Sequence, residues 1–381
     1  MSCFTRFTVQ DIRMTDSQIS GDVIDHLASP SNPQAARALR QHRPNIAVSI
    51  QQTFDALFVD ERGALDLSTR LACAARVAAV TGDAPLAAFY RDALAQRAAI
   101  PRQIAAQSAQ NAALAYAALG AANPGACDKA ALAHLRAAGL DDFDMVTLGQ
   151  LIGYVAFQAR VLLVVRALLN QTRAADPAYS PVPFERHDGF TANTLEWISW
   201  LTPVALESAN PEQLAILDES GPTARTSPYY LTLVRNPAVL RHRSATYNAV
   251  MYAPGGLARA DRELGALVVS TLNGCPYCAS VHAQRLNQLT KQSDLVQRIF
   301  ADPLEGGRTP REHALIRFAR RLTLDSGAFG PSDVEALRAH ALSDSDMLDY
   351  AHAVAIFAWA NRLMQGLGEP VFPPAAGDEH G

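Results

Sequence analysis

Long, uninterrupted helical periods limit what this chain can fold into. In LSTRLACAARVAAVTGD, PLAAFYRDALAQRAAI, PRQIAAQSAQNAALAYAALG, ADRELGALVVSTLNG, PYCASVHAQRLNQLT, REHALIRFARRLTL and SDSDMLDYAHAVAIFAWANRLMQGLG, apolar residues recur at three and four, the spacing that lines one helix face. No series of short alternating strands and no βαβ spacing appears. The pattern predicts an all-α protein. Thr309 before Pro310, and Ser332 before Asp333, are the expected helix caps.

Composition sets the class. Of 381 residues, 49% are hydrophobic and 18% charged, enough for a sizeable core and for two domains. A net charge of -4 removes a strongly basic nucleic-acid footprint. No run approaches the roughly 18 apolar residues of a membrane span, and the N-terminal segment has no apolar signal-peptide core. Five cysteines are too few for a disulfide-dense secreted scaffold. The expectation is a cytoplasmic protein, with neither nucleic acid nor membrane as partner.

The chain divides into a polar arm (1–20), a helical module (21–169), a polar, Pro-containing linker (170–183), a second helical module (184–370) and a tail (371–381) that cannot continue a helix. The two modules resemble each other. At an offset of 192, Leu65, Arg70 and Gly82 lie over Leu257, Arg262 and Gly274. At an offset of 202, Asp144, Met145, Phe157 and Arg160 lie over Asp346, Met347, Trp359 and Arg362. Two matches in the same order point to an internal duplication.

One cluster carries chemistry: Glu263, then Cys275-Pro276-Tyr277-Cys278, then His282. Asn273-Gly274 is a turn signal that puts both cysteines at the start of a helix, where the free N–H groups favour a thiolate. Cys278 and His282 are four apart and share a face, so His282 can serve Cys278 as a base. A helical hairpin would bring Glu263 to the depth of His282, to orient it or relay a proton. A paired cysteine can close a disulfide by exchange, which suits a peroxide or another disulfide as substrate. In that cycle Cys278 attacks and Cys275 resolves, and the thiols should lie close together and open on a pocket. Two other readings of the spacing stand beside it. One is a zinc site completed by His313 or His352. The other is a pair of structural core thiols.

The segment RELGALVVSTLNGCPYCASVHAQRL resembles the core of the alkylhydroperoxidase AhpD-like proteins, in the carboxymuconolactone decarboxylase-like superfamily. Glu263, Cys275, Cys278 and His282 fall on that family's Glu, first Cys, second Cys and His. SPYYLTLVRNPAVLRHRSATYNAVMYAPGGLARADREL and AIFAWANRLMQGLG, with Asn361 and Arg362, are similar to its peroxidase-related subgroup. The first module resembles a diverged relative, so the likeness spans most of residues 40 to 367. It implies duplicated AhpD-like helical domains, a homo-oligomer (trimer or dimer), and no cofactor. The implied activity is peroxide reduction at the second cysteine, driven by an external thiol reductant such as a lipoyl or thioredoxin-like protein. Disulfide reduction without peroxide turnover, and a non-catalytic redox sensor or scaffold, are the alternatives.

Two departures bear on the chemistry. Typical AhpD proteins have a histidine where this chain has Tyr277, which the peroxidase-related subgroup shares. With a pKa of about 10, tyrosine donates a hydrogen bond but shuttles protons poorly at neutral pH. The decarboxylase branch lacks the cysteine pair, so its presence argues against lactone decarboxylation. In the first module, Leu71, Asp83, Leu86 and Tyr90 stand for Glu263, Cys275, Cys278 and His282, which leaves it a packing role. Of the other cysteines, Cys73 reads as buried, Cys127 as a more exposed loop residue, and Cys3 lies in the arm. Trp197, Trp200 and Trp359 read as core or interface, Phe357 as packing with one wall near the thiols, and Arg262 with Glu263 as a surface pair.

Overall fold

The computed structural model describes residues 22–59, 63–96, 104–172 and 179–373. The N-terminal arm with Cys3, part of the linker and most of the tail lie outside them. The first half is a run of helices: α1 (Val23–Ala28), α2 (Pro33–Arg40), α3 (Pro44–Val59), α4 (Leu67–Val80), α5 (Ala84–Ala95), α6 (Ile104–Ala122), α7 (Lys129–Ala137) and α8 (Asp142–Leu168). The second half continues with α9 (Pro211–Ser220), α10 (Pro228–Leu233), α11 (Pro237–Met251), α12 (Arg259–Leu272), α13 (Pro276–Thr290), α14 (Ser293–Ala301), α15 (Pro310–Leu324), α16 (Pro331–Arg338) and α17 (Asp344–Gly366). The all-α expectation holds.

The two longest helices, α8 and α17, form the centre. Each starts on a capping box, Asp141 with Asp144 and Ser343 with Asp346, which satisfies N–H groups that a helix start leaves open. Both are buried along nearly their whole length. Gly153 lets them meet: a Cβ there would lie 2.0 Å from Cδ1 of Trp359. The Trp359 indole N–H, enclosed at that contact, donates to Gln150 Oε1 at 3.0 Å. By length and apolar composition α8 could cross a membrane, but in this fold its apolar stretch is enclosed by protein.

Hydrogen bonds repeat between the halves at the same offset. Arg160 donates to Ala156 O (2.8 Å) and to Thr323 O (3.5 Å) in the last turn of α15. Arg362, 202 residues later, donates to Ala358 O (2.8 Å) and to Ala121 O (2.6 Å) in the last turn of α6. Ala121 and Thr323 are themselves 202 apart. Each half therefore sends a cation to the carbonyl end of a helix in the other half, where the helix dipole favours positive charge.

Several expectations change. The stretch from Phe184 to Asn210 is not a regular helix. Pro181 and Pro183 just before it and Pro203 within it interrupt helical hydrogen bonding, and it runs as a strap held by Leu195 N to Ser280 Oγ (3.1 Å), with Val182 N to Leu324 O (2.8 Å) fixing its approach. Within it, β1 (Glu196–Ser199) pairs antiparallel with β2 (Gly368–Val371), so the start of the tail is a strand. Ser332 lies inside α16: the cap is Gly330, whose N–H donates to Asp333 Oδ2 at 2.9 Å. Arg262 is buried and donates to Val250 O at 2.7 Å, not a surface partner of Glu263. Cys127 is buried because the 3-10 turn Pro124–Ala126 folds it against Tyr116 and Gly120. Cys73, Trp197 and Trp359 are buried as expected.

Candidate active site

The cysteine pair sits on a turn fixed by backbone. Helix α12 ends at Asn273, Gly274 takes φ +63°, and the N–H groups of Gly274 and Cys275 return to Thr271 O (3.2 Å) and Ser270 O (2.9 Å). This is a Schellman closure, and glycine supplies its left-handed residue without strain. Cys275 is then the N-cap residue of α13, Pro276 opens the helix, and Cys278 lies in its first turn. The first half repeats the turn at Gly82 (φ +80°), but its N-cap is Asp83, whose Oδ1 accepts from Leu86 N at 3.1 Å.

Helices α12 and α13 form the expected hairpin. Glu263 Oε2 and His282 Nδ1 are 2.5 Å apart and both are buried. Burial alone would raise the Glu263 pKa; the hydrogen bond and charge of His282, with Arg259 (Nε to Oε1, 3.2 Å), carry it below the usual value. Glu263 is therefore a carboxylate that fixes the Nδ1 side of the ring and leaves Nε2 as the working nitrogen. Phe357 closes one side, edge-on to the His282 ring at 4.3 Å.

Cys275 and Cys278 are free thiols. Burial pushes the Cys275 pKa well above the ordinary thiol value, and the hydrogen bond with Cys278 pushes it the same way. Cys275 thus stays protonated. Asn361 also bonds Cys275, and its amide donates to Ser270 Oγ (3.1 Å) while accepting from Asn273 Nδ2 (2.9 Å). The expected opening onto a pocket is not met: Cys275 is 1% and Cys278 4% exposed. On the turn side the His187 ring of the strap lies over Gly274, 2.7 Å from where a Cβ would stand.

Tyr277 is half-buried, and its pKa is raised to about 12 by burial and then by Cys278 and Cys275. It stays protonated at neutral pH. A wider aromatic shell surrounds these groups. Tyr247 lies 6.1 Å from Phe357 and 5.8 Å from Tyr252, whose ring faces Arg259 at 4.8 Å. Arg243 stands between the rings of Tyr229 (5.3 Å) and Tyr247 (5.1 Å). Sequence reading missed Tyr229, Arg243 and Arg259. Only Arg259, four residues before Glu263, carried a local signal.

The zinc reading gains nothing from the fold. Among the described residues no group of three or more His, Cys, Asp and Glu is placed to hold a metal ion. His313 lies 3.7 Å from Glu305, and His352 is buried against Phe157. In the first half, Asp83 is paired with Arg166 (2.8 Å), Tyr90 donates to Gln158 Oε1 (2.5 Å), and Leu71 and Leu86 are core.

Residues 237–321, which hold Glu263, Cys275, Tyr277, Cys278 and His282, match the carboxymuconolactone decarboxylase family. Among solved structures, the AhpD core of an uncharacterized peroxidase-related protein from Ralstonia eutropha JMP134 is 30% identical, over 36% of this chain and 73% of that one, with a TM-score of 0.34. An uncharacterized peroxidase-related protein from Silicibacter sp. TM1040 is 26% identical, over 39% of this chain and 75% of that one, with a TM-score of 0.35. No curated protein matches significantly. The chain belongs to the AhpD-like, carboxymuconolactone decarboxylase superfamily, on the family match and the 30% identity rather than on these superpositions.

Proposed function

We propose that the protein is a thiol-dependent peroxidase whose Cys275–Cys278 pair cycles between dithiol and disulfide. The observation that carries this is the placement of Cys275 at the N-cap and Cys278 in the first turn of α13, one helical turn before a histidine braced by Glu263. Cys278 gives its proton to His282 and attacks the terminal oxygen of a hydroperoxide. An S–O bond forms, the O–O bond breaks, and the alkoxide takes the proton and leaves as alcohol. Cys275 then attacks the sulfenic acid, water departs, and a disulfide closes. An external dithiol, of lipoyl or thioredoxin type, restores both thiols by exchange.

In this reading the first module is a related unit that has kept its packing and lost its thiols. The fused chain assembles as a dimer or trimer, and works in the cytoplasm, where such thiols stay reduced. The peroxidase-related descriptions of the two relatives support the peroxide branch. Burial of both sulfurs favours a slower second reading, a disulfide oxidoreductase or sensor whose thiols open only on partner docking. Thiol titration after a peroxide challenge, in the parent chain and in Cys275→Ser and Cys278→Ser, decides between them. Oxidation of both thiols with steady turnover is the expected result. Free thiols persisting at both positions would overturn the peroxidase reading.

A further inference from the structure

Among the described residues, five tyrosines are buried, and four of their hydroxyls have a protein acceptor. Tyr90 donates to Gln158, Tyr116 to Gly366 O, Tyr154 to Ile50 O and Tyr350 to Leu315 O. The fifth, Tyr229, is 5% exposed and its hydroxyl has no partner. A native fold rarely leaves such a group unmatched. The ring cannot swing away to find one. It is held edge-on by Trp197 (5.7 Å) and Tyr230 (5.6 Å), and the Arg243 guanidinium lies over it at 5.3 Å.

Its place in the fold gives the orphan hydroxyl a meaning. Tyr229 lies within electrostatic reach of Cys278 and Tyr277. Arg243 is 3% exposed, its Nε has no partner, and among the described residues no carboxylate pairs with it. An unused O–H donor therefore lies within electrostatic reach of the sulfur, with a cation that no carboxylate balances over its ring and hydrogen-bonded to Tyr230, and the pair suits a small oxygen acceptor that becomes an anion.

We propose, resting on the peroxidase reading, that the Tyr229 hydroxyl binds the hydroperoxide oxygens beside Cys278 and donates a hydrogen bond to the departing alkoxide. Arg243 acts through it as a positioning residue, locking the ring and supplying positive potential. Tyr229 is not the proton source: the proton leaving Cys278 returns to the alkoxide through His282, so thiol and hydroperoxide become sulfenic acid and alcohol with Tyr229 unchanged.

The test is Tyr229→Phe, which keeps the ring and deletes the donor. It is made in the full chain carrying Cys275→Ser, so that only Cys278 of the pair reacts. Two rates are read: oxidation of Cys278 by hydrogen peroxide and by cumene hydroperoxide, and its alkylation by iodoacetamide, which has no O–O bond. The expected result is a fall of about 10²-fold with both peroxides and an unchanged alkylation rate. Equal peroxide rates with and without the hydroxyl would overturn the assignment and leave the peroxidase reading standing. A parallel fall in both rates would overturn it too, because Tyr229 would then act on the thiol or the fold. Alkylation without any peroxide reaction in the Tyr229-containing parent would remove the peroxidase reading and this inference together.

Discussion

His282 Nδ1 lies 2.5 Å from Glu263 Oε2, a bond across two helices between residues 19 positions apart in the chain. It ties the base of the site to a buried carboxylate, and it lets each thiol be tested separately.

Replacing Cys278 by serine should abolish thiol-dependent peroxide consumption. Replacing Cys275 should leave one oxidation of Cys278 intact and stop the cycle at the sulfenic acid. Single-turnover trapping of sulfenate checks this, and full turnover in Cys278→Ser would refute the assignment of the attacking thiol.

Replacing His282 by asparagine should lower kcat/KM for peroxide by about 10²-fold, the scale of a lost general base. Glu263→Gln should lose less, since the amide still accepts from Nδ1–H but no longer balances an imidazolium. Steady-state kinetics with a fixed reductant separates the two, and a Glu263→Gln loss equal to that of His282→Asn would argue for a more direct carboxylate role.

These four residues were legible because their relations are local: a turn, a step of four on one helix, and a two-helix hairpin. Tyr229 and Arg243 reach the site from α10 and α11, and no spacing rule links those helices to the cysteines. The strap was misread for a similar reason. Its apolar residues, Leu195, Trp197 and Leu201, are buried by contacts with distant elements, and Glu196–Ser199 is taken up as a strand by Gly368–Val371, a pairing that apolar content alone does not announce. Arg262 looked like a surface charge because its acceptors are backbone carbonyls, which leave no mark in the sequence.

Acid should destabilise the protein through His352. Both ring nitrogens are buried without partners, and burial lowers its pKa from 6.5 to about 3. Below pH 6.5 the unfolded chain takes up a proton that the folded chain refuses, so stability falls as pH drops towards about 3. The slope is about 1.4 kcal/mol per pH unit from this one group. His352→Phe should flatten that limb and change little at pH 8, as read by denaturant unfolding across pH; an unaltered acid limb would count against it.

The first module should tolerate loss of its charge pair chemically but not structurally. Asp83→Asn leaves Arg166 uncompensated in the core and should cost about 3–5 kcal/mol, with the Cys278 peroxide rate unchanged. A lost rate in a fully folded variant would show that the first module takes part in the reaction.

Gly153→Ala should destabilise by about 1–3 kcal/mol, because the added methyl drives into Trp359 and must part the two central helices. Chemical denaturation reads the cost, and an unaffected midpoint would mean that the indole can turn aside.

The exchanged arginines carry a consequence for how the chain can be divided. Arg160 finishes a helix of the second half and Arg362 one of the first, so a cut in the linker separates each cation from the carbonyls it serves. Neither fragment should fold by itself, and the two expressed together should reassemble. The thiol-free half is then retained as an obligate folding partner. What that half must keep is Arg160 and its own α6 terminus, whatever stands at Asp83 and Tyr90.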